Sequence, residues 1–223
     1  MKRIFRENGL SIVLFTFFLV FLFVGQSLTG HREHNRNQRE HGEDPISFGQ
    51  YVLSADFLEA TMENWESEFL QMFVYVILTA CLYQKGSAES KDPHKKSAVD
   101  AHARSDRPAK NAPWPVRKGG WILRLYEQSL ALAFLILFLG CFVLHAAGGV
   151  NKFNDELKAH GESPLTTMQY FGTSRFWFES FQNWQSEFLA IGSMVVLSIW
   201  LRQRGSPESK PVSAAHSDTG GRQ

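Results

Sequence analysis

Apolar positions along the chain fall into four blocks, separated by strongly polar stretches. Block one runs from about Leu10 to Leu28 and block two from Phe69 to Tyr83; block three runs from Leu125 to Ala147 and block four from Phe188 to Leu201. A bilayer core of ~30 Å takes ~20 apolar helical residues, and blocks one and three are long enough and almost free of charge. Blocks two and four would give only ~21–23 Å of helix. Extending them back to Trp65 and Trp184 gives ~27 Å, and Trp is enriched at the membrane–water interface. All four blocks are therefore read as spanning helices. Averaged over the chain, 44% hydrophobic and 20% charged residues look soluble, but the segregation into blocks makes that average misleading.

The polar stretches repeat. His41-Gly42-Glu43-Asp44-Pro45 matches His160-Gly161-Glu162-Ser163-Pro164, and Gln50-Tyr51 matches Gln169-Tyr170. Asn64-Trp65-Glu66-Ser67-Glu68-Phe69-Leu70 returns as Asn183-Trp184-Gln185-Ser186-Glu187-Phe188-Leu189. Gly86-Ser87-Ala88-Glu89-Ser90-Lys91 returns as Gly205-Ser206-Pro207-Glu208-Ser209-Lys210. One constant offset relates all these pairs, which chance does not produce. A shift of one residue upstream brings Glu7 opposite Glu127 and Leu10 opposite Leu130. The expected fold is all-α: a four-transmembrane-helix bundle of two tandem, parallel helical-hairpin repeats, with short amphipathic helices on its outer face. Residues 1–91 form the first repeat, 92–120 a disordered cytoplasmic linker, 121–205 the second repeat, and 206–223 a disordered tail. The linker holds Pro93, Pro108, Pro113 and Pro115 and many charges, and it cannot bury enough apolar surface to offset ordering.

Local signals place the short helices. Gly42 followed by Pro45, and Gly161 followed by Pro164, read as left-handed helix ends. Ser47 with Gln50, and Thr166 with Gln169, fit the capping box, and Ser54 and Thr173 suit N-caps. Phe57, Met62, Trp65 and Phe69, like Phe176, Phe181, Trp184 and Phe188, are spaced as one helical face. Lys2, Arg3 and Arg6 before block one resemble a signal peptide. The block recurs internally, however, so it is read as a retained span.

Charge orients the bundle. With four spans, one side carries 17 Lys and Arg and the other 6, the latter against 11 Asp and Glu. Positive loops face the cytoplasm, so both termini and the linker are expected there, in the inner membrane of a bacterium. Two spans per repeat make the copies parallel, which excludes the inverted repeats of many transporters.

The candidate site is the junction where polar neck meets span: Asn64, Trp65, Ser67, Glu68, and Asn183, Trp184, Ser186, Glu187. Glu68 and Glu187 are expected about a turn inside the Trp level, and an ionisable group there is a functional candidate. Each lies four residues after an Asn, on the same helical face. The opposing reading is structural, since a Glu at a helix start suits the dipole and reaches water. His31-x-x-His34 with Glu33, Glu40 and His41 has no counterpart in the second repeat, so no metal site is assigned. His145 is read as an interface residue. Cys81 and Cys141 are expected too far apart to pair, and are read as apolar helix residues. No phosphate loop, nucleophile elbow or zinc signature is present; no cofactor, catalytic residue or nucleic-acid partner is expected.

The opening Arg6-Glu7-Asn8-Gly9-Leu10-Ser11, the Gly25-Gln26-Ser27 exit, Arg39-Glu40-His41-Gly42-Glu43, the Asn64–Leu70 junction and Gly86–Lys91 resemble a family of small bacterial multi-pass membrane proteins known only as a domain of unknown function. The resemblance covers nearly the whole chain and implies a bacterial multi-pass membrane protein, with no activity to carry over. The first functional reading is a non-enzymatic structural or interaction protein of the envelope, with the lipid bilayer and an envelope protein as partners. The second is a small homo-oligomeric channel or transporter for a proton or small cation at the Glu68/Glu187 junctions.

Overall fold

A computed structural model of the protein describes residues 2–95, 97–101, 103 and 111–220. Over these residues the chain is all-α, without a strand. The helices are α1 (Lys2–Val20), α2 (Ser27–Glu40), α3 (Phe48–Val52), α4 (Ala55–Cys81), α5 (Trp114–Lys118), α6 (Gly120–Glu127), α7 (Ser129–Ala159), α8 (Thr167–Tyr170) and α9 (Ser174–Leu197). A π-helical stretch, Phe21–Gln26, joins α1 to α2 without a break.

Among the described residues two helices are long and apolar enough to cross a membrane: the run Arg3–Glu40, whose 18-residue apolar window has mean hydropathy 2.2, and Ser129–Ala159, whose window has 2.6. Both outrun the apolar blocks that predict them. Past Leu28 the helix persists for another three turns in a polar sequence. There Arg36 pairs with Glu33 and Glu40 at helical spacing, and such pairs each add a few tenths of a kcal/mol (~0.2–0.5) to a helix. α4 and α9 open with charged turns, and their apolar parts are shorter.

Both long helices end alike. The Glu43 amide reaches the Gln38 carbonyl at 2.8 Å and Gly42 the Arg39 carbonyl at 3.1 Å, while Glu162 reaches Leu157 at 2.8 Å and Gly161 reaches Lys158 at 3.0 Å. This is the Schellman arrangement, which needs a left-handed residue; Gly42 and Gly161 supply it with φ of 78° and 74°. The capping boxes form at Ser47/Gln50 and Thr166/Gln169, and Ser54 and Thr173 accept from the Phe57 and Phe176 amides. Asn35 clasps Ile46 through both its amide and its carbonyl oxygen, and Asn154 clasps Leu165 in the same way.

The chain divides into two compact units, each drawing on both halves of the sequence: Met1–Met62 with Val143–Phe176, and Glu63–Phe142 with Trp177–Gln223. In the first, Tyr51, Met62, Ala146, Val150, Tyr170 and Phe176 are buried. Tyr51 and Tyr170 lie over Gly30 and Gly149, where a side chain would collide with the phenol. Gln26 donates to Thr61 at 2.9 Å, and Ser27 returns its hydroxyl to Leu22 in the π stretch. By contrast the run Arg3–Glu40 buries none of its most apolar window, leaving Leu10, Phe15 and Phe21 largely exposed.

In the second unit, Phe138, Phe142, Trp177, Phe181 and Trp184 gather with ring centroids 5.4 to 6.5 Å apart. The stretches expected to be disordered, 92–120 and 206–223, include residues 96, 102, 104–110 and 221–223, which lie outside the described residues. Among the others, Ala98–Asp100 form a 3-10 turn, residues 114–118 are helical, and Gly120 opens α6. The tail runs in turns that bury Lys210, whose Nζ donates to the Ala215, His216 and Asp218 carbonyls. Gly86 and Gly220 bond to Thr219 and Ser87 respectively.

Candidate functional site

The two neck motifs enter their helices alike. Ser67 donates to the Asn64 carbonyl and Ser186 to the Asn183 carbonyl, each at 2.8 Å. From there the copies differ. Ser67 is buried and Ser186 exposed; Glu68 is exposed, Glu187 half-buried, and Trp65 and Trp184 are each partly covered. Asn183 gives its amide to the Glu63 carboxylate and to the Glu179 carbonyl one turn back, and not to the Glu187 side chain. Trp184 Nε1 donates to Glu66 Oε1 at 2.9 Å. The Glu187 backbone carbonyl receives Gln71 Nε2 at 2.8 Å, while its carboxylate lies within electrostatic reach of Glu68.

The buried carboxylate of the junction is therefore Glu66, which is fully buried. Sequence reasoning singled out Glu68, which lies two residues on and so roughly opposite on a helix of 3.6 residues per turn. A signal for Glu66 was present: Glu59, Met62 and Glu66 recur at i, i+3 and i+7, one helical face, and Met62 already marks that face as apolar. All three are buried.

A second ionic centre, also missed from sequence, occupies the first unit. The Glu59 carboxylate, 4% exposed, meets Lys152 Nζ at 2.8 Å. His34 Nδ1 meets Asp56 Oδ2 at 2.6 Å, and Tyr51 packs on the rings of His31, His34 and Phe57. Burial pushes the Tyr51 phenol above its usual pKa, and the nearby Asp56 carboxylate adds to the shift. Glu59 is the positional equivalent of Phe178, and Lys152 of Glu33, so comparison of the repeats alone does not point to the pair.

His31 and His34 do not converge on a metal position. His31 Nε2 engages the Ile46 carbonyl and Asn35, and His34 turns to Asp56. Among the described residues no three His, Cys, Asp or Glu side chains are grouped to hold a metal ion. His145 is fully buried against Phe176, 4.9 Å between ring centroids. Cys81 is exposed and Cys141 buried, both as free thiols.

Over the described residues these features define an all-helical protein with two helices fit to cross a membrane and buried carboxylates held by donors from the other half of the chain. The chain belongs to the family described as a domain of unknown function, DUF6766, whose model matches residues 1–221. No curated protein and no solved structure matches it.

Proposed function

We propose that the chain is a four-span inner-membrane protein of bacteria, built by tandem duplication, with both termini and the central linker in the cytoplasm. Its role on this reading is structural: a fixed helical body that presents an ordered outer surface to an envelope partner. The observation that carries it is the internal pairing of the buried charges. Glu59 is met by Lys152 and Glu66 by Trp184, an arrangement that fixes helices in place and leaves neither carboxylate turned toward a cargo. Three further features support the reading: the apolar exposure of α1, the charge asymmetry of the connecting segments, and the paired caps, Schellman ends and Asn clasps of the two halves. A single buried ionic pair contributes little net stability, and its attested use is to specify one arrangement over others.

The second reading is an oligomeric pathway for protons or small cations, favoured by the electrostatic proximity of Glu68 and Glu187. Reconstitution into liposomes loaded with a pH or potassium reporter separates the two. A structural protein leaves the leak at the protein-free level. Flux that disappears in E68Q/E187Q would overturn the structural reading in favour of the channel.

A further inference from the structure

Of the helices fit to cross a membrane, the first opens with a short segment set off by one non-helical residue, and the second is preceded by one set off in the same way. In the first, Asn8 (φ −130°, ψ 17°) interrupts α1, with Arg3, Ile4, Phe5 and Arg6 exposed before it. In the second, Gln128 (φ −108°, ψ 5°) separates α6 from α7. α6 buries Leu123 but exposes Trp121 at 74% and Leu125 at 53%. α5 adds Trp114, 58% exposed, and turns into α6 at Gly119, whose φ of 68° suits glycine. Arg117, Lys118 and Arg124 are exposed on the same elbow, with Glu127 its one acid.

An exposed pair of tryptophans interleaved with cations is poorly placed in bulk water and well placed at a bilayer edge. There the indole rings settle at headgroup level and Lys and Arg are drawn to anionic lipid. The position is constrained as well. α7 starts at Ser129, with only Gln128 between it and the end of α6, so α6 stays at the rim of that span whatever its tilt. We propose that the α5–α6 elbow docks the anionic phospholipid headgroups of its leaflet. Arg117, Lys118 and Arg124 take the phosphates, and Trp114, Trp121 and Leu125 seat among the upper acyl carbons. This inference rests on the membrane reading above.

The test uses the full chain in neutral detergent, titrated with short-chain phosphatidylglycerol or phosphatidylcholine. Tryptophan fluorescence is the readout, with W114F/W121F as the reference. Wild type is expected to bind phosphatidylglycerol the more tightly. R117Q/K118Q/R124Q loses about fivefold in that affinity for each cation removed, with phosphatidylcholine binding unchanged. R117K/R124K, which keeps the charges, retains the preference. Equal binding of the two lipids by wild type, or undiminished phosphatidylglycerol binding by the Gln variant, overturns the proposal. So does displacement of the lipid by inorganic phosphate, which would make the elbow a soluble-anion site. Alkaline carbonate extraction of membranes from expressing cells tells the two levels apart. Release into the supernatant defeats the membrane reading and this inference together; retention without a lipid preference defeats this inference alone.

Discussion

Gly148→Ala tests a backbone-to-backbone helix contact of the first unit. A Cβ at Gly148 would stand 2.8 Å from the Glu59 nitrogen, 3.0 Å from its Cα and 3.1 Å from the Ala55 carbonyl oxygen. All three are backbone atoms of α4, so no side chain can swing away and the helices must part locally. Small residues at such crossings let backbones approach, and in lipid that packing is a main source of helix association. Inserting a methyl into a filled contact costs about 1–3 kcal/mol, while replacing a mid-helix glycine by alanine returns about 0.5–1 kcal/mol. The net expectation is destabilisation by up to about 2.5 kcal/mol. The internal control is Gly140→Ala in the same helix, where a Cβ meets nothing within 4 Å. That change should stabilise by up to about 1 kcal/mol, so the two variants differ in sign. Reversible unfolding in mixed micelles, followed by far-UV circular dichroism, measures both. Gly148→Ala at or above wild-type stability would refute the contact. Lys152 lies one turn on from Gly148, so the same variant should also loosen the Glu59 ion pair.

The remaining predictions concern the buried carboxylates. Lys152→Met takes the ammonium from Glu59, which is 4% exposed, whereas Glu59→Gln takes the carboxylate from an ammonium already 39% exposed. The first should cost about 3 kcal/mol and the second about 1–2 kcal/mol in the same unfolding assay. Equal costs would show that the pair is not asymmetrically buried. Trp184→Phe keeps the ring stack but removes the Nε1–H that reaches Glu66, an expected loss of about 1–3 kcal/mol. Adding Glu66→Gln should return part of that loss, and strictly additive effects would argue against a direct bond.

Much of the local fold was legible because short-range chemistry writes it. Glycine at φ near 75°, hydroxyl–glutamine capping boxes and the run of apolar residues each require few neighbours, and they appear at Gly42, Gly161, Ser47 and Thr166 as read. Helix length was underestimated past Leu28, where i,i+3 and i,i+4 ion pairs sustain a helix that hydropathy does not mark. The site was legible only to its neighbourhood. Trp184 and Asn183 belong to the centre, but their acceptors, Glu66 and Glu63, come from the other half of the chain. A long-range pairing of unlike residues leaves no trace in a single sequence. Glu59 with Lys152 was hidden for the same reason.

Those pairings are lopsided. The acids Glu59, Glu63 and Glu66 lie in the first half, where the second half carries Phe178, Gln182 and Gln185; the donors Lys152, Asn183 and Trp184 lie in the second. Two first halves joined head to head would set Glu59 against Glu33, the counterpart of Lys152, and two second halves would set Lys152 against Phe178, the counterpart of Glu59. If the gene doubled from a self-pairing ancestor, the descendants have since become lock and key. Neither is interchangeable with its sibling, and an exchange of halves between molecules would succeed only between unlike partners.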